Sequence, residues 1–95
     1  MKIDKISLIE SKSEDISIHL TAEIKENGDL VLDGYDLGKR AEEWFGHDDY
    51  EYSLTLKAEF KDTVLLYLIK EKFANDSEFK KWLDEKQIPN EFWSY

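Results

Sequence analysis

The 95-residue chain contains no cysteine. That excludes disulfides, thiolate metal sites and cysteine nucleophiles, and it suits a reducing cytoplasm. The four glycines are scattered, so no glycine-rich phosphate loop can form. The longest apolar run, Val64 to Ile69, is six residues, far short of the ~20 that a membrane-spanning helix needs. The opening Met1-Lys2-Ile3-Asp4-Lys5 lacks the apolar stretch of a signal peptide. A cytoplasmic, soluble protein is expected. Basic residues are in deficit, 13 against 22 acidic, for a net charge of −9. Phosphate contacts need clustered Lys and Arg, so neither nucleic acid nor an anionic membrane is an expected partner.

What the chain does have is periodicity and aromatic rings. Apolar residues make up 41% of it and aromatics 14%, so large rings must supply much of any core. A chain of this length is expected to form one domain. Ile16, Ile18, Leu20, Ala22 and Ile24 alternate with Ser17, His19, Thr21, Glu23 and Lys25. Tyr50, Tyr52, Leu54, Leu56 and Ala58 alternate with Glu51, Ser53, Thr55, Lys57 and Glu59. Side chains on a strand point to opposite faces in turn, so both segments read as half-buried strands, over 16–26 and 50–59. Residues 2–10, where Ile6 and Leu8 alternate, read as another strand, and Leu30–Leu32, extending toward Leu37, as a fourth.

Asn27-Gly28 suits a two-residue hairpin turn, which would set Ile24 opposite Val31 and Ala22 opposite Asp33. A bulge at Asp33-Gly34 would then be needed to turn Tyr35 and Leu37 inward. Lys39 to Phe45 reads as a short helix or turn closed by Gly46.

Two helices are expected in the C-terminal third. The first runs from Asp62, a candidate cap with Thr63, to Phe73; its wide apolar stripe predicts cover on more than one side. The second runs from Ser77 to Lys86, announced by Asn75-x-x-Glu78 and stopped by Pro89. The aromatic end, Phe92-Trp93-Ser94-Tyr95, reads as a last edge strand. The expected fold is therefore α+β, in the order β-β-β-(α)-β-α-α-β. It is a mainly antiparallel sheet of four or five strands with two C-terminal helices packed on one face.

The charge is concentrated. Residues 41–60 hold Glu42, Glu43, Asp48, Asp49, Glu51 and Glu59 against Lys57 alone, whereas 70–86 balances five acids with five lysines. Trp44, Tyr50 and Tyr52 lie in the same acidic stretch. Acidic charge speeds encounter with a basic protein, and Trp and Tyr carry much of the affinity at interfaces. The candidate binding residues are therefore Glu42, Glu43, Trp44, Asp48, Asp49, Tyr50, Glu51 and Tyr52.

His47-Asp48-Asp49 is the one cluster of metal-ligand type in the sequence. Three consecutive loop residues rarely converge on one ion, so no metal or other cofactor is expected. The paired acids lack any sign of a shared cleft, and no nucleophile motif is present, so no catalytic residues are assigned.

Asp36-Leu37-Gly38, Trp44-Phe45-Gly46-x-x-Asp49-Tyr50-Glu51-Tyr52, Phe79-x-x-Trp82-Leu83 and Ile88-Pro89-x-Glu91-Phe92-Trp93-Ser94-Tyr95 together resemble a group of small, mostly uncharacterised bacterial proteins. The resemblance spans residues 36–95 and carries no agreed catalytic residues. Size, acidity and lack of cysteine are also similar to those of the immunity proteins that neutralise bacterial toxins. The function expected is a non-enzymatic, acidic protein-binding module for a basic partner. The alternatives are a self-associating, homo-oligomeric structural protein and a metal-dependent hydrolase centred on His47.

Overall fold

The computed structural model describes residues 3–38 and 49–94, with Asp49 described in its backbone only. The short helix or turn expected over 39–45 lies outside these residues. The chain divides into two compact units, Met1–Lys61 and Asp62–Tyr95.

The first unit is an antiparallel sheet of four strands: β1 (Lys5–Lys12), β2 (Ser17–Ile24), β3 (Leu30–Leu37) and β4 (Asp49–Leu56). They lie side by side in chain order, each antiparallel to the next. With the helices of the second unit, this is an α+β fold.

The strand registers sort the side chains by face. Ile18, Leu20, Ala22 and Ile24 pair with Asp36, Gly34, Leu32 and Leu30, which pair in turn with Tyr50, Tyr52, Leu54 and Leu56. One face is thus mainly apolar. The other carries Ser17, His19, Thr21 and Glu23 beside Leu37, Tyr35, Asp33 and Val31, then Glu51, Ser53 and Thr55.

The β2–β3 register differs from expectation by one residue. Ile24 pairs with Leu30 and Ala22 with Leu32, so Asp33 falls opposite Thr21 on the polar face. The loop is longer than a two-residue turn. The Gly28 N–H donates to the Lys25 carbonyl at 2.9 Å, the Lys25 N–H donates to the Asp29 carbonyl at 2.8 Å, and Gly28 has φ +91°. This is a turn closed by a left-handed glycine, the usual build of a three-residue hairpin loop. Because the side-chain period is two, the one-residue change removes the conflict that had called for a bulge. Accordingly β3 runs unbroken, and Tyr35 and Leu37 lie on the polar face, about two-fifths exposed.

The bulge sits in β1 instead. Ser7 pairs with Thr21 and Ile9 with Leu20, leaving Leu8 as the extra residue. Ile6 and Ile9, rather than Ile6 and Leu8, therefore share the apolar face.

β4 ends at Leu56, short of the expected Glu59, because Ala58–Phe60 forms a 3-10 turn. Asp29, one of the few buried residues, secures that turn. Its Oδ1 accepts from the Ala58 N–H at 2.9 Å, and its Oδ2 lies 3.5 Å from Lys57 Nζ. The accepted backbone hydrogen bond, and the Lys57 charge after it, hold the carboxyl below its ordinary range against the upward push of burial.

In the second unit, α1 (Lys61–Lys72) follows directly from the 3-10 turn, so Asp62 lies in its first turn rather than capping it. Leu65, Leu66, Tyr67 and Leu68 are exposed. Four consecutive apolar residues point all round a helix, so no single neighbour can cover them. α2 (Asp76–Glu85) begins as the sequence foretells. Asn75 Oδ1 accepts from the Glu78 N–H at 2.9 Å, and Glu78 Oε2 accepts from the Ala74 N–H at 2.8 Å. Phe73 packs its ring on Phe79 and Trp82 at centroid distances of 5.0 and 5.9 Å, joining the connection to α2.

Gln87, at φ +60°, terminates α2. The Gln87 N–H reaches the Asp84 carbonyl and the Ile88 N–H the Leu83 carbonyl, the paired bonds of a Schellman motif. Beyond Pro89, Asn90 is tied to Asp84 Oδ1 at 2.9 Å and to Lys80 Nζ at 3.2 Å. Residues 91–94 form no strand, so the fifth strand expected at the C-terminal end is not among the described elements.

Candidate functional site

The sequence-derived binding residues fall into three groups. Glu42, Glu43, Trp44 and Asp48 lie outside the described residues, as does His47 of the metal alternative. Asp49 opens β4. Tyr50, Glu51 and Tyr52 are in β4, but strand alternation divides them: Tyr50 and Tyr52 share the apolar face, and Glu51 projects from the polar one.

On the apolar face the Tyr50 and Tyr52 rings lie 5.6 Å apart, centre to centre. Tyr52 stands opposite Gly34, and only a glycine leaves room for its ring, since a Cβ at position 34 would overlap ring carbons. The Tyr52 hydroxyl donates to Asp36 Oδ1 at 3.3 Å. Burial, then the Asp36 charge, pushes the phenol above its ordinary value. Tyr52 is therefore a neutral donor holding β3 to β4, with no sign of a role as a base.

The polar face brings together residues the sequence did not group. One cross-strand row runs Glu10, His19, Tyr35, Glu51, one residue from each strand in turn. The His19 and Tyr35 rings stack at 4.6 Å with planes 20° apart. The next row contains Ser7, Thr21, Asp33 and Ser53. Between these rows lies an open hollow of about 530 Å³, lined by His19, Thr21, Asp33, Tyr35, Glu51 and Ser53, and also by Lys5, Gly34 and Tyr52. Lys5 pairs in register with Glu23, whose carboxyl is held below its ordinary range by Lys25 at 2.9 Å and, more weakly, by Lys5.

No ion pair involves Asp33 or Glu51 among the described residues. The hollow is thus a stacked aromatic pair bordered by two carboxylates, two hydroxyls and one lysine, Lys5. It can accept a cation and hydrogen-bond donors.

Sequence reasoning placed His19 on a polar face but missed its pairing with Tyr35. That pairing depends on the β2–β3 register, which a three-residue loop sets and Asn27-Gly28 alone does not. No group of three or more His, Asp or Glu side chains placed to hold a metal ion occurs among the described residues. No helix among them is long and apolar enough to cross a membrane. No family model, curated protein or solved structure matches the chain.

Proposed function

We propose that the chain is a non-enzymatic, acidic protein-binding module whose partner is a basic protein. An immunity-like inhibitor of a basic toxin is the specific form of this reading. The observation that carries it is the distribution of charge. Residues 1–61, the sheet unit, hold 15 acidic against 8 basic residues, while 62–95 hold 7 against 5. Seven of the nine net negative charges therefore lie on the unit that also exposes Tyr35 and Tyr50.

In the proposed mechanism Glu42, Glu43, Asp48, Asp49 and Glu51 draw in Lys and Arg of the partner. Trp44 and Tyr50 or Tyr52 supply apolar contact once the surfaces meet, the tyrosines from the face of β4 opposite to Glu51. Exposed charges act over roughly 10 Å at 0.1 M salt, so they govern encounter more than final affinity. The test is the double reversal Glu42→Lys, Glu43→Lys against a partner captured by the native chain. Association should slow at least tenfold at low salt and change little at high salt. Equal rates for the two proteins at low salt would reject the acidic surface.

A second reading, self-association, is favoured by one observation: β1 is an edge strand, and all eight of its residues are exposed. Exposed edges are templates for pairing with another chain. A molecular mass that stays monomeric across a hundredfold range of concentration would remove it.

A further inference from the structure

We propose that the hollow on the polar face of the sheet is the seat of one arginine side chain of the basic partner. The inference rests on the protein-binding reading and assigns its recognition to residues that reading did not single out. Four observations converge on a guanidinium. The platform is aromatic: Tyr35 is two-fifths exposed and backed by the ring of His19 at 4.6 Å. Guanidinium groups are flat and stack on such rings more readily than an ammonium does. Carboxylates border the platform, with Glu51 beside Tyr35 in the same cross-strand row and Asp33 in the next. Planar pairing of guanidinium with carboxylate supplies two parallel hydrogen bonds, which adds orientation to attraction.

One internal cation, Lys5, borders the hollow, and the other, Lys25, is engaged by Glu23. Lys5 pairs in register with Glu23, and Lys25 lies 2.9 Å from Glu23, while no ion pair reaches Asp33 or Glu51 among the described residues. Among the other lining groups, Thr21 and Ser53 offer neutral hydroxyls that can receive the remaining N–H donors. Charge complementarity favours a cationic occupant, since the charged lining residues are two carboxylates, Asp33 and Glu51, against one lysine, Lys5. A neutral sugar would use the aromatic ring but leave both carboxylates unpaired.

Strand alternation sets Glu51 on the face opposite Tyr50 and Tyr52, which places it beside the seat. Glu51 serves the polar face, and the two tyrosines serve the other.

The experiment is an amide-resolved NMR titration of the intact chain with N-acetyl-arginine amide. N-acetyl-citrulline amide serves as the uncharged isostere and N-acetyl-lysine amide as the point-charge control. Shifts should cluster at His19, Thr21, Asp33, Tyr35, Glu51 and Ser53, saturate with the arginine probe, be at least threefold weaker with lysine, and vanish with citrulline. Glu51→Gln and Tyr35→Leu should each weaken the arginine probe about fivefold, and Tyr35→Phe should retain it. If a leucine at position 35 disturbs the sheet, the mapping on the native chain and the Phe variant still decide the matter.

Shifts centred elsewhere, or equal shifts from citrulline, overturn the seat. If the seat fails while reversal of Glu42 and Glu43 still slows capture of a basic partner, only the arginine site falls. If that reversal also changes nothing, the protein-binding reading falls with it.

Discussion

Asp29 shows how one side chain can organise a unit from a distance. It belongs to the β2–β3 loop, yet its carboxylate holds the N–H of Ala58, 29 positions along the chain. Nothing local in the sequence marks it, because its partner is supplied only when β4 has paired with β3. Its pKa gives a signed prediction. The folded carboxyl titrates below its ordinary value, so its stabilising contribution is present above about pH 4 and is lost as pH falls through the folded value. Asp29→Asn should therefore melt at lower temperature than the native chain at pH 7, and the gap should close toward pH 3. Thermal melts across that range test it; a gap that does not narrow would show that the charge is not what matters.

Gly34 makes a second prediction. A methyl group there meets the Tyr52 ring, so Gly34→Ala should cost about 1–3 kcal/mol and alter the near-ultraviolet tyrosine signal. Gln87 makes a third, of opposite sign. It occupies the left-handed position that glycine fills without strain, so Gln87→Gly should raise stability by about 1 kcal/mol in denaturant melts.

At the scale of elements, alternation made β2 and β4 legible, and an amide cap with a glutamate three positions on made the start of α2 legible. Asn75→Ala should cost about 1 kcal/mol, with the loss read as reduced helical signal at intermediate denaturant. What alternation could not give was register. Asn27-Gly28 marked a turn correctly but not its length, and one residue of loop decides which face Asp33 and Tyr35 join.

The β1 bulge was hidden for the same reason, since Ile6-x-Leu8 mimics a regular strand. Because Leu8 is the extra residue, its deletion should leave Ile6 and Ile9 on the apolar face and the sheet intact by circular dichroism. Deletion of Leu20, in a strand with no bulge, should abolish folding. At the far end of the chain, aromatic residues after Pro89 looked like a strand. The anchoring of Asn90 to Asp84 and Lys80 instead fixes the chain close to α2 as it leaves the helix.

At the scale of the molecule, charge was the property most readily read, because it needs only a count. Composition located the acidic excess, and the structure divides the acidic-aromatic strand between two faces. The stacked His19–Tyr35 pair and the hollow beside it belong to the fold and were not visible in any one segment. In the proposed function this acidic surface holds a basic protein. The measurement that tests it most directly is affinity capture from lysate of the source cell at low and high salt, with mass spectrometry of what is retained, run in parallel with the Glu42→Lys, Glu43→Lys chain. One basic protein is expected, held by the native chain at low salt, weakened at high salt and reduced at least tenfold on the reversed chain. Retention of the same proteins by both chains at both salts would contradict this reading.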